Sequence, residues 1–321
     1  MKILVTGGAG FIGSYTIKSL LERGDEVICI DDFNDYYDPQ LKEYRIQKFL
    51  GEYTFPIYRV DIRDTESLRN IFLTHKIDCI CHLAARAGVR SSLLDPVLYA
   101  QVNIQGTINI LEMARNFGVK KIIISSSSSV YGGNEKLPFS ESDRVDTPIS
   151  PYAATKRTCE LIGYNYHHLY QISVVLLRFF TVYGPWGRPD MAYFAFANAI
   201  MKEKPIEVYN FGKMKRDFTY ISDIVDGILA SIDAELNYEI INLGHNSPED
   251  LLEFIHVLEE SFGKKVKTIL KPLQPGDVVE TYADIEKAKK LLKFEPKISI
   301  QKGIPQFVEW YRHYYKTNSL Q

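Results

Sequence analysis

Lys2-Ile-Leu-Val-Thr-Gly-Gly-Ala-Gly-Phe-Ile-Gly13 is the stretch on which the reading of this chain turns. An apolar run stops at a glycine turn, and a helical pattern over 11–23 starts inside that turn, with Ile12, Tyr15, Thr16 and Leu20 at helical spacing and Gly24 closing it. Glycine is needed where the backbone turns sharply and a pyrophosphate must approach main-chain N–H groups at a helix N-terminus. Gly7 and Gly10 serve that approach, Phe11 and Ile12 open the helix beside it, and Gly13 lets helix and strand pack closely. The next β-rich run, 27–30, ends in Asp31-Asp32, 18 residues after Gly13. A carboxylate there accepts both ribose hydroxyls and repels a 2′-phosphate. Asp31 is thus the expected ribose ligand, Asp32 doubles the charge, and NAD rather than NADP is the expected cofactor. Asp61-Ile62, after a third run, either edges the adenine or is a plain loop.

Outward from the turn, short β-rich runs at 56–60, 78–82, 121–125 and 173–177 alternate with helical patterns near 65–73, 96–116 and 151–170. Apolar runs without alternation mean strands covered on both faces, hence a doubly wound α/β fold with a parallel sheet and right-handed crossovers. The stretch 181–216 is rich in Pro, Gly and aromatics, which suits loops and short helices around a pocket. Ser247-Pro-Glu-Asp250 reads as a helix start, with Ser247 as cap and Gly263 as the stop. Further helices are expected at 284–292 and 304–315. The expected division is a dinucleotide-binding part, 1–178 plus about 217–243, and a smaller interleaved α/β substrate lobe, 179–216 and 244–321.

Composition excludes several classes. Of 321 residues, 45% are hydrophobic and 24% charged, so the chain is neither disordered nor fibrous. Thirty-eight basic against 40 acidic residues give a net charge of −2, without a field for nucleic acid or anionic membrane. No apolar run approaches a membrane span, and no leader pattern precedes the first strand. Cys29, Cys79, Cys81 and Cys159 match no disulfide or zinc pattern and read as buried thiols in a reducing, cytoplasmic compartment. No resident metal is expected.

Tyr152-Ala-Ala-Thr-Lys156 places a phenol and an ammonium on one helix face, about 5–6 Å apart. At an effective dielectric near 20 that separation is worth about 3 kcal/mol, so Lys156 is expected to acidify Tyr152 into a general base. Spacing alone is weak, since Tyr44/Lys48 and Tyr209/Lys213 match it too. Tyr152 is singled out by the hydroxyl run Ser125–Ser129, which ends a strand upstream of it.

The glycine turn, Asp31, His82 followed by Leu83, Ala84 and Ala85, then Asn103, the serine run with Val130-Tyr-Gly132, and Tyr152/Lys156 stand in an order that resembles the extended short-chain dehydrogenase/reductases of the nucleotide-sugar epimerase and dehydratase group. The likeness covers nearly the whole chain. It implies a Rossmann fold, a catalytic trio of Ser127, Tyr152 and Lys156, and NAD contacts from Leu83, Ala84, Ala85 and Asn103, with Phe179–Phe180 on the nicotinamide side. It also implies a UDP-sugar substrate, Arg216 on the diphosphate, and Val208, Tyr209 and Phe194 near the uracil. Dehydratases of the group carry an Asp-Glu pair where Ser128-Ser129 stands here, so epimerisation is favoured. The stretch from Phe179 to Ala192 resembles that of UDP-glucuronate 4-epimerases, and the segments holding Arg90 and Asp277 agree with it. The expected carboxylate contacts are Ser127, Ser128 and Thr181, with Arg188 nearby. A UDP-glucose or UDP-N-acetylhexosamine 4-epimerase is the alternative, and a catalytically silent dinucleotide sensor is disfavoured by the Tyr/Lys pair.

Other residues read as structural. His167-His168 diverge on a helix and share no metal, and His82 ends a strand as a packed residue. Lys42 and Arg45 lie near the adenosine phosphates by resemblance, or on a solvated face by pattern. The aromatic-rich helices near 99–117 and 152–170 imply, by resemblance, a homodimer face; core packing is the other reading.

Overall fold

The computed structural model of the chain describes residues 1–273 and 278–318. Strands β1 (Lys2–Thr6), β2 (Glu26–Asp31), β3 (Ile57–Arg59), β4 (Cys79–His82), β5 (Lys121–Ser127) and β6 (Ser173–Phe179) join the strand Tyr238–Leu243 in one sheet. Its spatial order is Tyr238–Leu243, β6, β5, β4, β1, β2, β3, and every pairing is parallel. Alternate residues feed opposite layers. Leu4, Ile28, Ile80, Ile122 and Val174 pack with Leu68, Ile71, Ile110 and Leu111 of the helices Thr65–Thr74 and Gly106–Phe117. Val5, Cys29, Cys81, Ile123 and Val175 face the other way, onto Ile17 and Leu20 of Phe11–Glu22 and Ile224 and Ile228 of Ile221–Asp233. Both faces are dry, which is why the strands read as unbroken apolar runs; each such side chain contributes about 1.5–3 kcal/mol on burial.

β1 lies between β2 and β4, so the chain winds outward on one side and then returns to the other. The crevice at such a reversal opens beyond the carboxyl ends of the strands. The glycine turn follows β1, Asp31 ends β2, Leu83 follows β4 and Ser127 ends β5, all at that edge.

The smaller lobe has its own sheet. Lys215–Tyr220 pairs in parallel with Thr181–Tyr183 and Glu280–Thr281 and antiparallel with Pro248–Asp250, while Ile206–Val208 pairs with Thr268–Leu270. Residues 217–220, where the expected division near 217 falls, pair in the smaller sheet, and the chain rejoins the large sheet at Tyr238 after the helix Ile221–Asp233. The expected helix start at Ser247 is corrected as well. Pro248-Glu249-Asp250 is a strand, and the helix runs Leu251–Phe262, ended by Gly263 in a left-handed conformation. The fully buried carboxylate of Asp217 explains this: it accepts the N–H groups of His245 (2.6 Å) and Asn246 (3.0 Å) and delivers the next residues to the ladder, where Pro248 is tolerated as a first strand residue.

The helix expected at 96–116 is interrupted. Pro96–Tyr99 and Gly106–Phe117 are regular, and Ala100–Gln105 forms a wide π turn containing Asn103. The later helices run Glu286–Leu292 and Ile300–Asn318, the second starting a turn before the expected 304 despite Pro305. Among the described residues no helix is long and apolar enough to cross a membrane. All four cysteines are buried free thiols.

Candidate active site

A cavity of about 980 Å³ runs along the carboxyl edge of the large sheet into the smaller lobe. At one end the glycine turn is closed by backbone bonds from Gly7 N to Ile30 O (2.7 Å) and Gly10 N to Gly7 O (3.0 Å). Gly7 takes a left-handed φ of +71°, and a Cβ on Gly13 would sit 2.1 Å from Gly7 O. The turn is a cradle that side chains would fill, as a diphosphate-binding turn requires. Asp31 is buried behind it. Oδ2 accepts from Ala9 N at 3.0 Å and Oδ1 from Phe33 N at 2.9 Å, which leaves lone pairs on both oxygens for ribose hydroxyls. Burial pushes this carboxyl above its ordinary range, against the opposing charge of Lys42. Gly7, Gly10, Phe11, Ile12, Gly13, Asp31, Asp32, Asp61, Ile62, Leu83, Ala84 and Ala85 all line this end, which fits a dinucleotide with free ribose hydroxyls. Asp61 is also held by Arg63, whose Nε and Nη2 donate at 3.0 and 2.6 Å; burial raises that carboxyl, and Arg63 outweighs it.

The catalytic candidates meet where the two lobes join. Ser150 caps the helix Pro151–Tyr170, its Oγ accepting from Ala153 N at 3.1 Å with Pro151 in the first turn. That start places Tyr152 and Lys156 beside the end of β5. Lys156 is buried, and its ammonium donates to Ser125 O (2.7 Å) and Oγ (3.1 Å). Ser127 Oγ donates to Ser129 Oγ at 3.1 Å and stands within reach of the Tyr152 phenol. The expectation that Lys156 acidifies Tyr152 is corrected. The ammonium is turned onto Ser125, and burial pushes the phenol up, while Ser127 and the Arg188 charge pull down without prevailing.

On the sugar side Arg90, Ser127, Ser128, Thr181, Arg188 and Arg216 line the cavity. Arg188 is already engaged: Nε donates to Asp190 Oδ1 at 3.0 Å and Nη2 to Oδ2. Burial opposes its charge, but Asp190 holds it protonated. Tyr36 Oη reaches Ser91 Oγ (3.0 Å) and Asp190 Oδ2 (3.3 Å). Arg90 lies over the Tyr209 ring at 4.9 Å. Arg216 Nη1 donates to Lys215 O and Val279 O at 2.8 and 3.0 Å.

Three expected contacts are placed elsewhere. Val208 is fully buried in the core while Glu207 and Tyr209 line the cavity, and Phe194 packs between Phe307 and Tyr311. Asn103 is buried off the wall, its amide bonding Arg86 N and O and the Thr155 hydroxyl. Asp277 and its segment lie outside the described residues. Lys42 and Arg45 are buried, which removes the solvated-face reading. Lining residues that the pattern did not single out include Tyr36, Tyr37, Ser91, Asp190 and Glu207. Asp190 and Ser91 fall inside the two stretches that carry the resemblance, and Tyr36 and Tyr37 show only as adjacent tyrosines in the polar stretch after Asp32.

A family model described as GDP-mannose 4,6 dehydratase matches residues 4–307. A UDP-glucuronate 4-epimerase of Thermodesulfobacterium geofontis is 48% identical over 308 residues, covering 96% of this chain and 95% of that protein. The crystal structure of a Bacillus cereus UDP-glucuronic acid 4-epimerase with UDP-glucuronic acid and NAD superposes with a TM-score of 0.92 at 37% identity, over 98% of this chain and 100% of that one. The structure of a Thermotoga maritima UDP-glucose 4-epimerase with UDP-glucose gives 0.89 at 30% identity, over 100% of both chains.

Proposed function

The chain belongs to the GDP-mannose 4,6 dehydratase family of extended short-chain dehydrogenase/reductases, and from that premise we propose that it is an NAD-dependent UDP-glucuronate 4-epimerase, interconverting UDP-glucuronate and UDP-galacturonate. The observation that carries the reading is the sugar-side wall. Ser127, Ser128, Ser129, Thr181 and Arg188 line the same cavity as Tyr152, and no carboxylate stands at 128–129 to eliminate water. NAD supplies a reversible two-electron acceptor for the C4–H bond.

The chain's own residues do the rest. Tyr152 Oη takes the proton of the C4 hydroxyl and returns it after the sugar has turned over, so one proton relay serves both faces. Ser127, turning its one proton from Ser129 to the phenolate, and the Arg188 charge oppose burial, and a positively charged nicotinamide, when bound, would add the attraction that offsets it. Lys156 fixes the end of β5 through Ser125. Arg216 and Arg90 receive the diphosphate, with Tyr209 beside Arg90. A 4-keto uronate is a β-keto acid that loses CO₂ when its C5–carboxylate bond aligns with the carbonyl π system. Ser127, Ser128 and Thr181, with Arg188, hold the carboxylate out of that alignment through charge-assisted bonds.

The same proposal includes a homodimer, supported by apolar exposure of Val97, Leu161, Tyr164 and Leu169 on the helices Pro96–Tyr99 and Pro151–Tyr170. It also includes a cytoplasmic location, which suits four free thiols, and dinucleotide binding by 1–178 with the segment returning to the large sheet. The test is NMR detection of UDP-galacturonate formed from UDP-glucuronate by purified protein supplied with catalytic NAD. Conversion of UDP-glucose alone, or of neither sugar, overturns the reading. Tyr152→Phe is expected to lose about 10²–10⁴-fold in rate.

A further inference from the structure

Arg45 is fully buried and, among the described residues, pairs with no carboxylate. Its guanidinium makes five hydrogen bonds, all to neutral oxygens. Nε and Nη2 donate to Trp186 O at 2.9 and 2.6 Å, and Nη2 also to Gly187 O at 3.1 Å. Nη1 donates to Ala9 O at 3.0 Å and to Tyr37 Oη at 2.6 Å.

These partners belong to different sites. Ala9 lies inside the glycine turn, and its own N–H holds Asp31. Trp186 and Gly187 immediately precede Arg188 and Asp190 on the sugar-side wall. The sugar-side segment has a single seat. Trp186 is kept at a left-handed φ of 59°, unusual for a bulky side chain, while its carbonyl takes two of the Arg45 bonds. A Cβ on Gly187 would meet Tyr193 Oη at 1.7 Å. A buried cation facing only dipoles is costly, and an anion arriving at the turn relieves that cost. The guanidinium can hold its place only while the Trp186 and Gly187 carbonyls hold theirs. Whatever stabilises one end therefore stabilises the other, and linkage makes the effect reciprocal.

We propose that Arg45 is a positioning residue that couples dinucleotide binding at the glycine turn to the placement of the 185–190 segment, so that each ligand tightens the other. This rests on the epimerase reading for the identity of the second ligand. The test uses a Tyr152→Phe background, in which turnover is slowed about 10²–10⁴-fold. UDP-glucuronate is titrated calorimetrically with and without saturating NAD. With Arg45 present, NAD is expected to tighten the sugar nucleotide by about tenfold or more. In Arg45→Met the factor falls to about one, and in Arg45→Lys it lies between. Tyr37→Phe, which deletes one of the five bonds, should reduce the factor without threatening the fold, and it carries the test if Arg45→Met does not fold. Emission of Trp186, read with Trp310→Phe, should shift on NAD addition only when Arg45 is present. Undiminished coupling in all three variants, or none with Arg45 intact, overturns the proposed coupling. Absence of UDP-glucuronate binding with Arg45 intact, with or without NAD, overturns the epimerase reading and the coupling with it.

Discussion

Thr6 Oγ1 and Thr107 Oγ1 flank the His82 ring at 2.7 and 3.0 Å, and Thr107 donates onward to Asn103 O at 2.5 Å. Thr107 must therefore accept from Nε2–H, which leaves Nδ1 to accept from Thr6: a neutral imidazole held in one tautomer. Burial, helped by the Lys156 charge, pushes its pKa down from 6.5 to about 3. The folded state thus binds fewer protons than the unfolded chain between those values. The contribution is complete above about pH 6.5 and is lost as pH falls toward 3, at about 1.4 kcal/mol per unit. Urea denaturation at pH 7 and pH 5 should show about 2 kcal/mol more acid loss for the unmodified protein than for His82→Gln. Thr181 carries a second residue-scale expectation. Thr181→Val removes one hydroxyl from the carboxylate wall, so UDP-glucuronate turnover should fall or a UDP-pentose should accumulate, as followed by NMR. If neither changes, the hydroxyl wall does not restrain the carboxylate.

Two element boundaries carry the chemistry. Ser150 starts the helix that bears Tyr152, so Ser150→Ala should cost about 1 kcal/mol in chemical denaturation and lower kcat more than KM, with Ser150→Asp restoring both. At the glycine turn, Gly13→Ala must push aside the Gly7 carbonyl, a backbone atom with no room to yield. Strain of about 1–3 kcal/mol should weaken NAD binding roughly 5- to 150-fold, measured by calorimetry. Both boundaries are legible in the chain because cap and turn chemistry is local. Ser247-Pro-Glu-Asp250 has a helix signature of the same local quality, yet it does not start a helix. There the decisive group is distant in sequence. The buried Asp217 carboxylate recruits the N–H groups of His245 and Asn246 and sends Pro248 into a ladder, and none of this leaves a trace in the pattern around Ser247.

At the scale of the whole molecule, the residues that neighbour one another only in space are the illegible ones. Asp31 and Gly7 announce themselves through backbone needs, whereas Asp190, Tyr36 and Ser91 come from separate segments and share a wall only after both lobes have formed. The orientation of Lys156 is hidden for the same reason, because its partner, Ser125, lies on another element. The exposed apolar side chains of the helix Pro151–Tyr170 set the last expectation. Leu161 and Leu169 are each 55% exposed, and replacing both by Glu should convert a dimer to a monomer in sedimentation velocity while leaving the circular dichroism spectrum unchanged. An unmodified protein that sediments as a monomer would rule the dimer out.

The chain passes from the large sheet to the small one after Phe179, returns at Tyr238, and leaves again after Leu243. Such stitching means that the sugar pocket is no cassette. A chimera that imports another enzyme's specificity as one contiguous block would cut across strands of both sheets, so a change of substrate has to be made by replacing individual wall residues in place.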